Sequence, residues 1–174
     1  MGMDVYGKKP KNETGEYFRN NVWWWRPLWG YIEDNFPEIA SEVPYAHSND
    51  GDGLNAVKTK ILANKLRFHI NSGKVKEYEK KYNEYVSSLP MVDCEYCETT
   101  GKRAWAKTHP AVSHINNDSN VEYEINDNDE YVIQCNSCKG LGKTEDFMSH
   151  YPFSEENVIA FCDFLENCGG FKIC

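Results

Sequence analysis

The chain has no long hydrophobic run, no apolar leader and no surplus of basic charge. Its mean hydropathy is −0.70. No apolar stretch approaches the roughly 18 residues that a membrane-crossing helix needs. The opening MGMDVYGKKP lacks the apolar segment of a secretory signal. Met1-Gly2 looks like the start of a myristoylation site, but Tyr6 stands where Ser or Thr is required. Nineteen basic against 27 acidic residues leave a net charge of −8, which disfavours non-specific adhesion to nucleic acid. Catalytic signatures are missing as well: there is no H-E-x-x-H, no G-x-S-x-G, no P-loop and no H-x-E. These absences describe a soluble protein expected in the cytoplasm, away from membranes and without a readable catalytic motif.

Cysteine is plentiful by contrast. Seven are present, at 94, 97, 135, 138, 162, 168 and 174. An odd number cannot all pair, and a reducing compartment makes paired cysteines metal ligands before it makes them disulfides. Four of them form two C-x-x-C turns, CEYC (94–97) and CNSC (135–138). Such a turn aims two sulfurs at one ion, and two turns complete the tetrahedral thiolate shell that zinc prefers. The expectation is one structural zinc held by Cys94, Cys97, Cys135 and Cys138. A Cys3His variant through His109 or His114 is a lesser alternative. Four thiolates close the shell, whereas catalytic zinc keeps a position open for water.

Hydrophobic periodicity predicts an α+β fold: a mainly helical body with an inserted zinc-ribbon-like β-hairpin module. The body spans 1–92 and 144–174, with an N-terminal aromatic segment, and the zinc-binding β module spans 93–143. Residues 1–16 read as a loose or extended arm, and Tyr17 to Trp25 as a strand or a helix entry. Pro27 is expected in the first turn of a helix that stops before Pro37. A short helix follows over 38–43. Leu54, Val57, Ile61, Leu62, Leu66 and Ile70 recur at helical spacing, with Gly73 as the stop. Val75, Tyr78, Tyr82, Val86 and Leu89 form a second stripe. Val121, Tyr123 and Ile125, then Asn126 to Asp129, then Tyr131 to Ile133 make a hairpin, with 102–107 as a third strand. Ser154 is expected to cap a last helix that buries Val158, Phe161, Cys162 and Leu165 and ends at Gly169-Gly170.

Two resemblances follow from these motifs. CNSCKGLG (135–142) resembles the C-x-x-C-x-G-x-G unit of the cysteine-rich region of DnaJ-type chaperones; CEYCETTG (94–101) departs from it at Thr99. There is no J domain, so the resemblance implies only the zinc role of the four cysteines. MGMDVYG, GEYFRNNVWWWRPLWGYI, HSNDGDGL and YPFSEENV resemble a family of uncharacterised bacterial and phage proteins. That resemblance implies a cytoplasmic protein encoded by a phage or mobile element and carries no activity.

Three functional readings remain. The first is a zinc-stabilised protein-binding module. Four of the five tryptophans lie in Trp23-Trp24-Trp25-Arg26-Pro27-Leu28-Trp29, and Trp and Arg lead the residue types found at binding hot spots. On a strand, Trp24 and Arg26 would share the face opposite Trp23 and Trp25, which makes them the expected partner contacts. The second is nucleic-acid association through residues 54–81, where eight basic residues face two acidic ones. The acidic segment 116–134 is another candidate mate for those cations. The third is an enzyme without a recognisable motif, built on the polar loop with His47, Asn49 and Asp50. The plainer role of that loop is a turn in which Asp50 or Asp52 caps the next helix. An EF-hand reading fails because Ser48 and Thr59 occupy the positions of the first Asp and last Glu.

Overall fold

Met3 and Val5 alternate with Asp4 and Tyr6, the period of a strand with one buried face. The computed structural model, which describes residues 2–113 and 122–174, places them on β1 (Gly2–Gly7), with both side chains buried. β1 is the middle of a three-stranded antiparallel sheet, between β2 (Tyr17–Asn21) and the last strand, β8 (Phe171–Ile173). Val5 stands opposite Phe18 on one side and Ile173 on the other. The expected loose or extended arm is therefore extended over residues 2–7, and there it is a central strand. Its polar neighbours hide a two-residue apolar pattern, and its partner lies at the other end of the sequence.

Asn21 ends β2 and caps α1 (Val22–Asn35), its side-chain oxygen accepting from the Trp24 N–H at 3.1 Å. The aromatic segment is thus strand up to residue 21 and helix beyond. Pro27 is the sixth residue of α1, a turn deeper than expected. Its ring removes the N–H that would reach the Trp23 carbonyl. Trp25, Leu28, Trp29 and Ile32 are buried together, with Trp25 and Trp29 stacked at 5.5 Å between ring centres. The short helix α2 (Pro37–Ala40) follows.

Neither Asp50 nor Asp52 caps the next helix. α3 (Ala56–Asn71) is capped by Asn55, which accepts from the Lys58 N–H at 3.0 Å. Asp52 accepts instead from the Tyr45 and Gly53 N–H groups, both at 2.8 Å. After Gly73 the chain enters α4 (Lys74–Ser88). Leu54, Leu62, Leu66 and Val75 join the core, but Val57 and Ile61, expected in the same stripe, face outward. Ser154 caps α5 (Glu155–Asn167) as expected, accepting from the Asn157 N–H at 3.2 Å. Val158, Phe161, Cys162, Phe164 and Leu165 of α5 are buried, and α5 packs against α3.

These elements form one of two compact units, Met1–Ser88 with Phe147–Cys174; the other is Leu89–Asp146. The second unit contains a strand pair, β3 (Val92–Asp93) with β7 (Lys143–Thr144). It also contains a three-stranded antiparallel sheet of β4 (Lys102–Ala106), β6 (Glu130–Gln134) and β5 (Tyr123–Ile125), in that order. The 126–129 hairpin and the third strand stand as expected; Val121 lies outside the described residues. The architecture is α+β. No described helix is long and apolar enough to cross a membrane.

His69 links α3 to α1: its Nδ1 lies 2.8 Å from the Tyr31 hydroxyl. Burial, then the charges of Lys74 and Lys65, hold the His69 pKa below its usual 6.5. Burial pushes the Tyr31 phenol up to about 12, so it stays protonated and shares a hydrogen bond with the neutral ring. Below pH about 6.5 the unfolded chain takes up this imidazole proton before the folded one does, so acid favours unfolding. The denaturant midpoint should therefore be flat above pH 7 and fall as pH drops below 6.5. His69→Gln, which keeps an acceptor for Tyr31, should flatten that slope. An unchanged slope would assign the effect elsewhere.

Candidate metal centre

The described residues of the second unit form almost no apolar core. Among its described residues the buried side chains are Cys94, Cys97, Cys135, Cys138 and Val112. The four sulfurs lie within 4.8 Å of one another and can hold a metal ion. Cys94 and Cys135 are 3.9 Å apart, and Cys97 and Cys138 are 3.6 Å apart, sulfur to sulfur. A disulfide needs about 2.05 Å. A tetrahedral centre with metal–thiolate bonds of about 2.3 Å has sulfur–sulfur edges of about 3.8 Å, which these separations bracket.

Local backbone geometry makes the turns. In the first, the Cys97 N–H reaches the Cys94 carbonyl at 3.3 Å and the Thr100 N–H reaches the Cys97 carbonyl at 2.9 Å. In the second, Gly140 reaches Cys135 at 3.3 Å and Leu141 reaches Cys138 at 3.0 Å. The Gly142 N–H also points at the Cys138 sulfur, at 3.3 Å. Burial disfavours a Cys138 thiolate, but the Gly142 N–H and the neighbouring Cys97 and Cys135 thiols outweigh it and bring its pKa down to about 7. Cys97, its neighbour, is pushed up to about 12, chiefly by burial. Between these two the thiolate is favoured on Cys138, and a bound cation would favour thiolates.

The two turns repeat each other in their positive φ angles, at Glu98 and Lys139, Thr99 and Gly140, and Gly101 and Gly142, and they brace each other. The Cys94 N–H donates to the Gly142 carbonyl at 2.9 Å, and the Cys135 N–H donates to the Gly101 carbonyl at 2.8 Å. Each of these glycines lies seven residues after the first cysteine of its own turn. Gly101 has φ +72° and Gly142 has φ +71°. A Cβ on Gly101 would sit 2.3 Å from the Gly140 oxygen, and one on Gly142 would sit 2.2 Å from the Thr99 oxygen. The flanking strands obey the same relation. Asp93 pairs with Lys143 and Lys102 pairs with Gln134, each joining the entry of one turn to the exit of the other. The spacing of the cysteines and glycines is visible in sequence; the reciprocal bracing is not, because it joins residues some forty positions apart.

His109 takes no part in the cluster. Its ring lies against Trp105, with centres 4.3 Å apart. His114 lies outside the described residues. Arg103 stacks on Trp105 at 4.1 Å and on Tyr96 of the first turn at 5.4 Å, a contact that sequence reasoning missed.

The other candidate residues scatter. On α1, Trp24 and Arg26 are two residues apart, about 200° around a helix, so the strand-face pairing is lost. Trp24 is half-buried, and its carbonyl accepts from Asn157 at 3.3 Å. Arg26 is exposed; its Nη1 donates to the Tyr151 hydroxyl at 3.3 Å and its guanidinium lies over that ring. Trp23, three residues before Arg26, also packs on Tyr151, at 4.8 Å, and on Phe147. Trp23 and Arg26 therefore share a patch.

The polar loop binds the protein to itself. Asn49 donates to the Gly2 carbonyl at 3.0 Å, and the Ser48 hydroxyl bonds to Asp50. His47 faces Glu33 at 3.8 Å, while burial holds its pKa down. Of the eight basic residues in 54–81, five form ion pairs within their own unit. Lys58 pairs with Glu42, Lys65 with Glu38, Arg67 with Asp163 and Glu166, Lys80 with Glu84, and Lys81 with Glu77.

No family model matches the chain, and no curated protein or solved structure matches it either.

Thr99 is the odd member of the repeat. It holds φ +68°, where its counterpart is Gly140 at +83°, and a β-branched residue is strained there. Its side chain is exposed. Thr99→Gly should raise the stability of this unit by about 1 kcal/mol. Gly142→Ala should lower it and unprotect the Cys94 amide in hydrogen exchange. A Thr99→Gly protein that melts lower would refute the strain argument.

Proposed function

We propose that the four thiolates hold one zinc ion in a structural role, and that the chain is a protein-binding module. The observation that carries the first part is the closed set of four buried sulfurs at near-tetrahedral spacing. Tetrahedral thiolate sets suit zinc or iron. Zinc is redox-inert and suits a site whose only visible task is to join two turns. Structural zinc supplies about 10 kcal/mol or more in small modules, enough to replace the apolar core that is missing among the described residues of the second unit. The four-thiolate shell leaves no open position for water, which favours a structural over a catalytic ion.

Protein binding is supported by what the surface of the first unit offers. Trp23 is 37% exposed and Phe147 60% exposed, and both pack beside the Arg26–Tyr151 pair. Aromatic and arginine side chains in one patch are the composition of a hot spot. The lysines of 54–81, largely engaged in ion pairs, support nucleic-acid binding less well.

Elemental analysis of the native chain should find one zinc per molecule, and none after Cys135→Ser. Chelation should strip hydrogen-exchange protection from 89–146 while α1, α3 and α5 stay protected. Capture from lysate should fall on Trp23→Ala and Arg26→Ala with melting unchanged. Iron in place of zinc, or chelation without local unfolding, would overturn the metal assignment. Unchanged capture by both variants would overturn the contact patch.

A further inference from the structure

Four sulfurs around one point can form two pairs that share no atom. In one such set both pairs cross from the first turn to the second. Cys97 lies 3.6 Å from Cys138 and Cys94 lies 3.9 Å from Cys135, sulfur to sulfur. Closing either pair to the disulfide length of about 2.05 Å is a movement of under about 2 Å. No sulfur belongs to both pairs, so both can close.

The fold around the sulfurs keeps these pairs facing. The Cys94 N–H bonds to the Gly142 carbonyl, and the Cys135 N–H bonds to the Gly101 carbonyl. Both braces run through backbone groups, so departure of a cation leaves each of them its partner. The β3–β7 and β4–β6 pairings flank the same braces. Each crossing pair also spans 41 positions of the chain. A link across so long a loop restricts the unfolded chain far more than one inside a C-x-x-C turn. A crossing link also ties one turn to the other, as the ion does.

We propose that the four cysteines are a redox-controlled staple: a peroxide converts the zinc-held centre into one held by Cys97–Cys138 and Cys94–Cys135 disulfides, and the ion leaves. This rests on the zinc reading above. Cys97 and Cys138 react first, because they are 6% and 3% exposed, against 1% for Cys94 and 0% for Cys135. Metal-held sulfurs are thiolates, the form that attacks peroxide. One thiolate of the pair takes a peroxide oxygen; the O–O bond breaks, giving a sulfenic acid and a hydroxide. The second thiolate attacks that sulfur, forms the S–S bond and expels another hydroxide. Two thiolates have then given up two electrons, and one peroxide has taken them. Two remaining ligands do not complete the shell that zinc requires, so the ion dissociates. The second pair repeats the step with a second peroxide, and a thiol reductant reverses both bonds.

The test uses the zinc-loaded full chain with Cys174→Ser, which removes the one cysteine that is not buried. Hydrogen peroxide is titrated in while a chromogenic chelator reads zinc release. About two peroxides should be consumed per zinc released once both bonds have formed. Tandem mass spectrometry without reductant, with fragmentation inside both turns, should find the Cys97–Cys138 bond ahead of Cys94–Cys135. Hydrogen-exchange protection of 89–146 should survive chelation in the oxidised chain and be lost on chelation in the reduced one. Dithiothreitol with added zinc should restore the starting state. Zinc that stays bound, any other cysteine pairing, sulfinic acid in place of disulfide, or zinc release with loss of protection overturns this proposal alone. A chain that holds no zinc before oxidant is added overturns the metal reading and this proposal with it.

Discussion

The second unit depends on four cysteine side chains meeting in one place. In the first unit, twenty-six buried residues form a continuous core, and loss of any one contact leaves many others. Among the described residues of 89–146 there is no such reserve. Their cysteines form a separate cluster of four, and Val112 is the one other described side chain buried there. Four thiols packed together contribute little by burial, because each is small. What they can do is satisfy a cation, and every surrounding device serves that geometry. The reciprocal Cys94–Gly142 and Cys135–Gly101 hydrogen bonds fix the two turns face to face. The glycines allow the backbone to pass where a Cβ would collide with the opposite turn. The β3–β7 pair and the β4–β6 pair then radiate from the two braces.

What could be read from the sequence was what is local. The C-x-x-C spacing, the hairpin around Asn126–Asp129, the α3–α4 break at Gly73 and the Ser154 cap all involve partners within a few residues of each other. They emerged as expected. What was hidden was long-range or depended on competition between two local rules. β1 has only Met3 and Val5 to announce a strand, and its pairing with β8 spans the chain. Pro27 pointed to a helix start, but the Asn21 cap begins the helix a turn earlier, and the chain tolerates an interior proline there. The Asp50–Asp52 pair looked like a cap, yet Asn55 is nearer to the first turn and takes the role.

Val57 and Ile61 were misread for a different reason. A stripe of apolar residues at helical spacing implies a buried face, and α3 has two such stripes. Periodicity cannot separate them, because Ile61 and Leu62 are neighbours in sequence and only about 100° apart around the helix. Only packing decides which stripe the core takes. α5 and α4 both pack against α3, and Leu62 and Leu66 are the residues buried there.

The same logic separates the polar surface from the apolar one. His47, Asn49 and Asp50 looked like an incipient site because hydrogen-bonding groups crowd one loop. In the fold their bonds run back to Gly2, Ser48 and Glu33, so the loop fastens β1 and α1 to the turn between them. Most cations of α3 and α4 are likewise held by carboxylates of their own unit. A polar group already bonded within the chain must break that bond before it can meet a ligand, and so contributes little net affinity. Exposed apolar groups carry no such cost, because their alternative partner is water. For the proposed protein contact, this argument favours the exposed rings of Trp23 and Phe147 over the charges of the first unit.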